Sequence, residues 1–253
     1  MTPIGIFVAT RWERQAVLHA LPAGEDRLVA GTRCTVVRRP QDEWWIVPMG
    51  VGPTRAAETV RAVCGEQRFT LMVSTGFACA LQKADIGDVL LGTEVVMEKD
   101  GAAGPTIYCT PELVERMTDV LRREGLAVLP GRFVTVPNVL CRAADKRAVA
   151  QRQSAVGLDM ESAALGAAAR EQGIPFAIVR TVSDLLEEDL PLDFNLFLRP
   201  SGWMSGVVSC LAHPSSLIGL NRLRVQSRRA GERLTQSIHA LAAAPLEAES
   251  VTS

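Results

Sequence analysis

The chain has 253 residues, a formal net charge of -1 and 47% hydrophobic residues, enough for one large α/β domain or two small ones with a substantial core. This balance excludes a disordered chain and a generally basic nucleic-acid binder. The six cysteines, at positions 34, 64, 79, 109, 141 and 210, form no C-x-x-C and no paired-histidine pattern, which argues against a zinc site and fits buried thiols in a reducing cytoplasm. The first residues show neither a basic n-region nor a long apolar run, so no signal peptide is expected. No stretch of 18 uninterrupted apolar residues predicts a membrane span.

Ile4–Ala9 is a short apolar run that predicts a central strand, followed by Thr10-Arg11-Trp12-Glu13-Arg14 and an apolar-periodic helix through Leu21. Glu13 therefore stands at a strand-to-helix junction, where the plain reading is a first-turn acid favoured by the helix dipole. Leu28–Arg39 and Trp44–Pro48 predict two strands joined by a polar turn at Pro40-Gln41-Asp42-Glu43. Met49-Gly50-Val51-Gly52-Pro53-Thr54-Arg55 is a glycine turn opening a helix, whose free N–H groups favour anions. It lacks the third glycine of a dinucleotide fingerprint and the Lys-Ser/Thr of a P-loop. Arg55 is either a solvated surface residue or, with Gly50, Gly52 and Arg11, a phosphate ligand.

Leu71–Thr75 predicts a buried strand followed by the small-residue segment Gly76-Phe77-Ala78-Cys79-Ala80, which lets a substrate approach the backbone. Gly87-Asp88 reads as a turn before the strand Val89–Val96. Residues 98–110 read as a loop, 111–124 as a Pro-initiated amphipathic helix, and Arg132–Val136 as a strand ending in Pro137-Asn138-Val139-Leu140. Asp159 and Glu161 then flank Met160 at the start of an Ala-rich helix that stops at Gly173. Phe176–Val182 predicts a buried strand ending on Ser183 and Asp184. Chemistry in an α/β sheet collects where strands end and helices begin, so Glu161 and Asp184 can face one crevice. The plainer alternative is a helix-start acid and a turn aspartate. Apolar walls would raise a carboxyl's pKa, suiting it to donate a proton.

Beyond Asp184 the chain is acidic to Leu190, then rich in large apolar residues over Phe194–Leu220. Leu220, Leu223, Leu234, Ile238 and Leu241 follow at near-helical spacing among Arg222, Arg224, Arg228, Arg229 and Arg233. The ordinary reading is a helix covering the sheet with a solvated basic face; the other is a peripheral membrane-docking surface over 194–234. The strand–helix order, without repeats, indicates one domain over 1–244, a three-layer α/β/α sandwich about a mixed twisted sheet, with a frayed tail at 245–253.

Asp-Met-Glu-Ser-Ala-Ala followed by Pro-Phe-Ala-Ile-Val-Arg-Thr-Val-Ser-Asp resembles the nucleoside phosphorylase/nucleosidase superfamily. Ser-Thr-Gly-Phe-Ala-Cys-Ala-Leu with Ile-Gly-Asp-Val-Leu resembles its Thr-Gly-x-Ala segment, and the Gly-Val-Gly turn its ribose- or phosphate-side loop. Two departures are Asp159 where most members have Glu, and Phe77 where many hydrolases have Ser. Gly-Leu-Asp-Met-Glu-Ser-Ala-Ala-Leu-Gly, Phe77 and the Arg-rich end look more narrowly like the hopanoid-associated branch.

The resemblance implies cleavage of a purine N-ribosidic bond, with adenine released from adenosylhopane, a lipid nucleoside. Asp184 would protonate the leaving base with help from Ser183. Glu13 would orient water, Glu161 with Asp159 would hold the ribose, and Met160 would wall the sugar. Phe77 and Gly76 would border it, while Val139 and Leu140 would contact the base without stacking. No metal or organic cofactor is implied, and the partners would be a small purine nucleoside and further copies of the chain in a homodimer or larger homo-oligomer. The expected place is the cytoplasm, at the inner membrane face if the 194–234 surface docks. The alternatives are a methylthioadenosine/adenosylhomocysteine nucleosidase, a phosphate-dependent phosphorylase with Arg11 and Arg55 as ligands, and a purine-binding protein without catalysis.

Overall fold

Over residues 2–191 and 214–246, which the computed structural model describes, the chain forms eleven strands and six helices. In chain order the first half is β1 (Thr2–Val8), α1 (Arg11–His19), β2 (Glu25–Val29), β3 (Thr32–Arg38), β4 (Asp42–Pro48), α2 (Pro53–Glu66), β5 (Leu71–Ala80) and β6 (Val89–Lys99). The second is β7 (Ala102–Ala103), β8 (Ile107–Tyr108), α3 (Pro111–Arg123), β9 (Val128–Thr135), α4 (Ala143–Gln153), β10 (Gly157–Asp159), α5 (Ser162–Gln172), β11 (Phe176–Asp184) and α6 (Pro214–Ala243). The expected apolar segment at Phe194, Phe197, Trp203, Met204 and Leu211 lies outside the described residues.

The sheet is mixed, in the order β10-β9-β6-β11-β5-β1-β4-β3-β2. β10 also pairs antiparallel with β5, Gly157 opposite Ala80 and Leu158 opposite Cys79. That extra pairing closes β5, β11, β6, β9 and β10 into a ring of five strands, with the remaining strands extending from β5 as an open sheet. Strand alternation assigns the two faces. Ile4, Ile6 and Val8 of β1 join α1, α3 and α6 in one core, while Phe7 joins α2 and α5 in the other. Helices thus cover both faces of the expected mixed twisted sheet.

Several boundaries differ from the sequence reading. Leu28–Arg39 is not one strand, because Ala30 (φ 47°) and Gly31 (φ 77°) turn the chain between β2 and β3. Both residues have the left-handed backbone that favours tight hairpin turns. Asp42 leaves the supposed turn and opens β4, buried against Arg39 at 2.7 Å. The small-residue segment 76–80 continues β5, paired with β11 and β10. The loop over 98–110 carries the short β7 and β8.

The acidic pair is also placed differently. Asp159 ends β10, Glu161 occupies the position before α5, and the first turn of α5 contains no acid. Helix α5 does stop as expected at Gly173, left-handed at φ 64°. In α6, Leu234, Ile238 and Leu241 are core residues, whereas Arg222, Arg224, Arg228 and Arg229 are exposed. The apolar stripe from Ala230 onward therefore covers the sheet. Leu246, placed by sequence in the tail, is buried in the same core. Among the described residues no helix is long and apolar enough to cross a membrane.

Candidate active site

A cavity of about 370 Å³ opens at the ends of β1, β5, β10 and β11. Its walls include Phe77, Cys79, Val139, Leu140 and Met160, and its polar groups are Thr10, Glu13, Asp159, Glu161, Ser183 and Asp184. Four strand ends and the start of α1 thus bring together residues separated by up to 171 positions (184 − 13).

Glu13 is held by a capping box. Its Oε2 accepts from the N–H groups of Ala9 (2.9 Å) and Thr10 (2.7 Å), while Thr10 Oγ1 accepts from Glu13 N. Its Oε1 accepts from Phe77 N at 2.8 Å. A carboxylate has about four acceptor sites, so three are occupied and one on Oε1 is left for a water or a hydroxyl. Gly76 makes this approach feasible: its φ is +141°, and a Cβ there would collide with Glu13 Oε1. The structural and chemical readings of Glu13 are compatible, since the cap aims the side chain.

Beneath the cavity lies a residue that the sequence reading passed over. Arg180, in the middle of β11 and 1% exposed, faces three carboxylates. Its Nη2 is 2.9 Å from Asp159 Oδ2 and 3.5 Å from Glu161 Oε2, and its Nη1 is 3.7 Å from Glu13 Oε1. Nη1 also donates to Phe77 O, and Nη2 to Ser74 Oγ. The signal was available: one arginine inside an otherwise apolar strand must meet buried counter-charge. Asp159 is committed to this scaffold, accepting from Thr135 Oγ1 at 2.7 Å, from the Ser162 hydroxyl and from Arg180.

Glu161 Oε1 accepts from Gly52 N at 2.9 Å. The N–H of the glycine turn, which the sequence offered as one possible phosphate contact, is therefore spent on a carboxylate. Burial, only partly offset by Arg180 and reinforced by the charges of Asp159 and Glu13, pushes the Glu161 carboxyl up to about 7. Of the other candidate phosphate residues, Arg55 is exposed with its stem over Gly50, and Arg11 stacks 4.6 Å from the centre of the Trp12 ring. Neither arginine lines the cavity.

At the other end, Asp184 Oδ1 accepts from Ser183 Oγ at 3.1 Å. Asp184 Oδ2 is 2.7 Å from the ammonium of Lys146, a residue of α4 that the sequence did not single out. Val139, Leu140 and Met160 supply apolar wall between the two polar ends. The cavity thus has a carboxylate-rich floor, a paired aspartate opposite, and apolar sides.

An α/β sheet gathering buried acids under an apolar cavity is an enzyme architecture built for a polar ring with an apolar flank. The chain belongs to the phosphorylase superfamily, whose family model matches residues 3–199. A 5'-methylthioadenosine/S-adenosylhomocysteine nucleosidase of Staphylococcus aureus is 23% identical over 168 residues, covering 61% of this chain and 74% of that protein. The fold is shared with futalosine hydrolase of Helicobacter pylori, at TM-score 0.74 and 14% identity over 96% of this chain and 97% of that one. It is also shared with a putative nucleosidase of the same methylthioadenosine type from Francisella philomiragia, at TM-score 0.77 and 18% identity over 97% and 100% of the two chains. The chain is accordingly an enzyme of the superfamily's N-ribosyl-cleaving kind.

Proposed function

We propose that this enzyme hydrolyses the N-ribosidic bond of an adenine nucleoside carrying a large apolar 5' substituent, adenosylhopane being the substrate that its sequence resemblance suggests. The observation that carries the reading is the convergence of Glu13, Glu161 and Asp184 on one cavity whose remaining walls are largely apolar. In the proposed reaction a proton passes from Asp184 to a ring nitrogen of adenine. The C1'–N9 pair leaves with the base, and a water held by the open site on Glu13 Oε1 attacks C1', passing its proton to Glu13. Solvent returns both carboxyls to their starting states. Glu161 accepts a ribose hydroxyl, and the excess of acids over Arg180 stabilises the cation-like sugar most strongly in the transition state.

Hydrolysis is favoured over phosphorolysis because Gly52 N serves Glu161 and neither Arg11 nor Arg55 reaches the cavity. The same cavity suits a methylthioadenosine or adenosylhomocysteine substrate, the chemistry of the named relative. Residues 194–234 are proposed as the surface through which a lipid nucleoside would enter from a membrane. The exposed arginines of α6 support that reading, although Arg222 pairs with Glu188 and Arg228 with Glu232. The deciding experiment is product analysis with adenosylhopane, methylthioadenosine and adenosylhomocysteine, each with and without phosphate. Free adenine and unphosphorylated sugar in phosphate-free buffer, with adenosylhopane preferred, are expected. Sugar phosphorylated at C1 would replace hydrolysis by phosphorolysis, and preference for the two soluble thioethers would replace the lipid substrate.

A further inference from the structure

Lys146 is a fully buried cation, 1% exposed, in a protein that exposes most of its arginines. Its three donors are all used: Nζ gives hydrogen bonds to Asp184 Oδ2 (2.7 Å), Leu185 O (3.1 Å) and Glu188 O (3.0 Å). Burial is the largest single influence and works against its charge, but Asp184 together with Cys79 and Glu188 outweighs it, and the pKa lies above the ordinary lysine value. Lys146 is therefore a permanent ammonium locked onto one oxygen of the residue proposed as the leaving-group acid.

The lock has two chemical consequences. Oδ2 is taken by a donor that cannot give it up, so the transferable proton belongs on Oδ1. That oxygen is touched by the Ser183 hydroxyl at 3.1 Å, and Ser183 can turn instead to Ala78 O at 3.4 Å. When the Oδ1–H bond breaks and the proton joins the base, a carboxylate is left beside a fixed positive charge. Its interaction with Lys146 grows as the proton leaves, which is the condition for catalysis.

We infer that Lys146 is the positioning residue of this acid: it selects Oδ1 as the proton-bearing oxygen and stabilises the carboxylate formed as the base departs. The inference rests on the proposed N-ribosyl cleavage. Glu188 extends the arrangement, since its carbonyl holds Lys146 while its carboxylate meets Arg222 and Gln226 of α6.

The test separates leaving groups. A nitrophenyl riboside departs as a stable anion and needs no protonation, whereas adenine does. Lys146→Met and Lys146→Arg would be compared with the unsubstituted enzyme on a purine nucleoside and on nitrophenyl riboside. Thermal unfolding would establish that each variant is folded at assay temperature. The expected result for Lys146→Met is a kcat on the purine lower by about 10- to 100-fold, at or below the lower edge of the 100- to 10,000-fold typical of a positioned acid, as fits a residue that acts through that acid. KM should change little, and the rate on nitrophenyl riboside should stay within about threefold, a margin far below that range. Lys146→Arg, which keeps the charge, should recover part of the purine rate. Equal losses on both substrates would reduce Lys146 to a structural tie and overturn the inference, as would undiminished purine cleavage by the folded Met variant. Should the Met variant not fold, the Arg variant alone decides through the same substrate ratio. If the unsubstituted enzyme cleaves neither compound, the proposed function fails, a result distinct from any behaviour of the variants.

Discussion

Single side chains at this site carry two duties at once. Glu13 caps a helix and faces the cavity, and Gly76 exists so that it can do both. Gly76→Ala adds a methyl group where Glu13 Oε1 lies, at a φ of +141° that strains any L residue with a Cβ. The expected outcome is a folded protein with kcat lowered at least tenfold, judged against the 100- to 10,000-fold typical of a positioned acid or base. Wild-type turnover in a soluble Gly76→Ala variant would show that Glu13 need not sit there. Asp184→Asn keeps the shape of the acid but leaves it no proton to give. Its turnover on a purine nucleoside should fall by about 100-fold or more. Rate measurement on protein of normal circular dichroism checks this, and near-normal turnover removes Asp184 from the mechanism.

Strands and helices account for which of these residues could be read beforehand. Glu13, Glu161 and Asp184 could be placed at boundaries between β runs and helical or turn patterns, where α/β chains place their chemistry, but only the family resemblance set a role for them above the plainer readings as helix-start and turn acids. The β2–β3 turn and the strand character of Gly157–Asp159 were not legible, because a three-residue strand has too few positions to show alternation. Helix α4 buries Ala143, Lys146, Val149 and Gln153, a mixed face without the apolar spacing that marks a helix. Lys146 was hidden with it, its partner 38 positions away. Arg180 was passed over although its place inside an apolar strand was a signal, because the run around it was taken whole as a buried strand. Arg180→Met should show why it is there: Asp159, Glu161 and Glu13 would face one another without their shared cation. Breaking a buried charge arrangement in this way costs about 3–5 kcal/mol, measurable as a lower midpoint in urea. An unchanged midpoint would mean that the acids are satisfied without it.

The buried acids also leave their mark on the stability of the protein as pH changes. Glu161 ordinarily titrates near 4.5 and is pushed up to about 7 in the folded chain. The folded state therefore binds its proton more tightly than the unfolded state, and stability from this group is full below about 4.5 and lost as pH rises to about 7. The gap corresponds to about 3 kcal/mol between pH 4 and pH 8. Glu161→Gln cannot ionise, so it should be more stable relative to the native enzyme at pH 8 than at pH 5, while losing ribose binding. Thermal unfolding at both pH values checks the sign; an equal effect at both would mean that burial does not hold the proton. A different outcome concerns time. The five-stranded ring joins strands far apart in the chain: Leu158 of β10 meets Cys79 of β5 across 79 positions (158 − 79), and Phe176 of β11 meets Met72 of β5 across 104 (176 − 72). Distant pairings form slowly because loop closure comes before its reward. Asp159, Glu161 and Asp184 are carried by β10, β11 and the residues that follow β10, so a refolding chain should recover most of its far-ultraviolet signal before it recovers ligand binding. The carboxylate-rich floor would then be among the last parts of the molecule to exist, and a chaperone or a bound nucleoside that secures β10 and β11 would hasten the return of ligand binding more than the return of the helices.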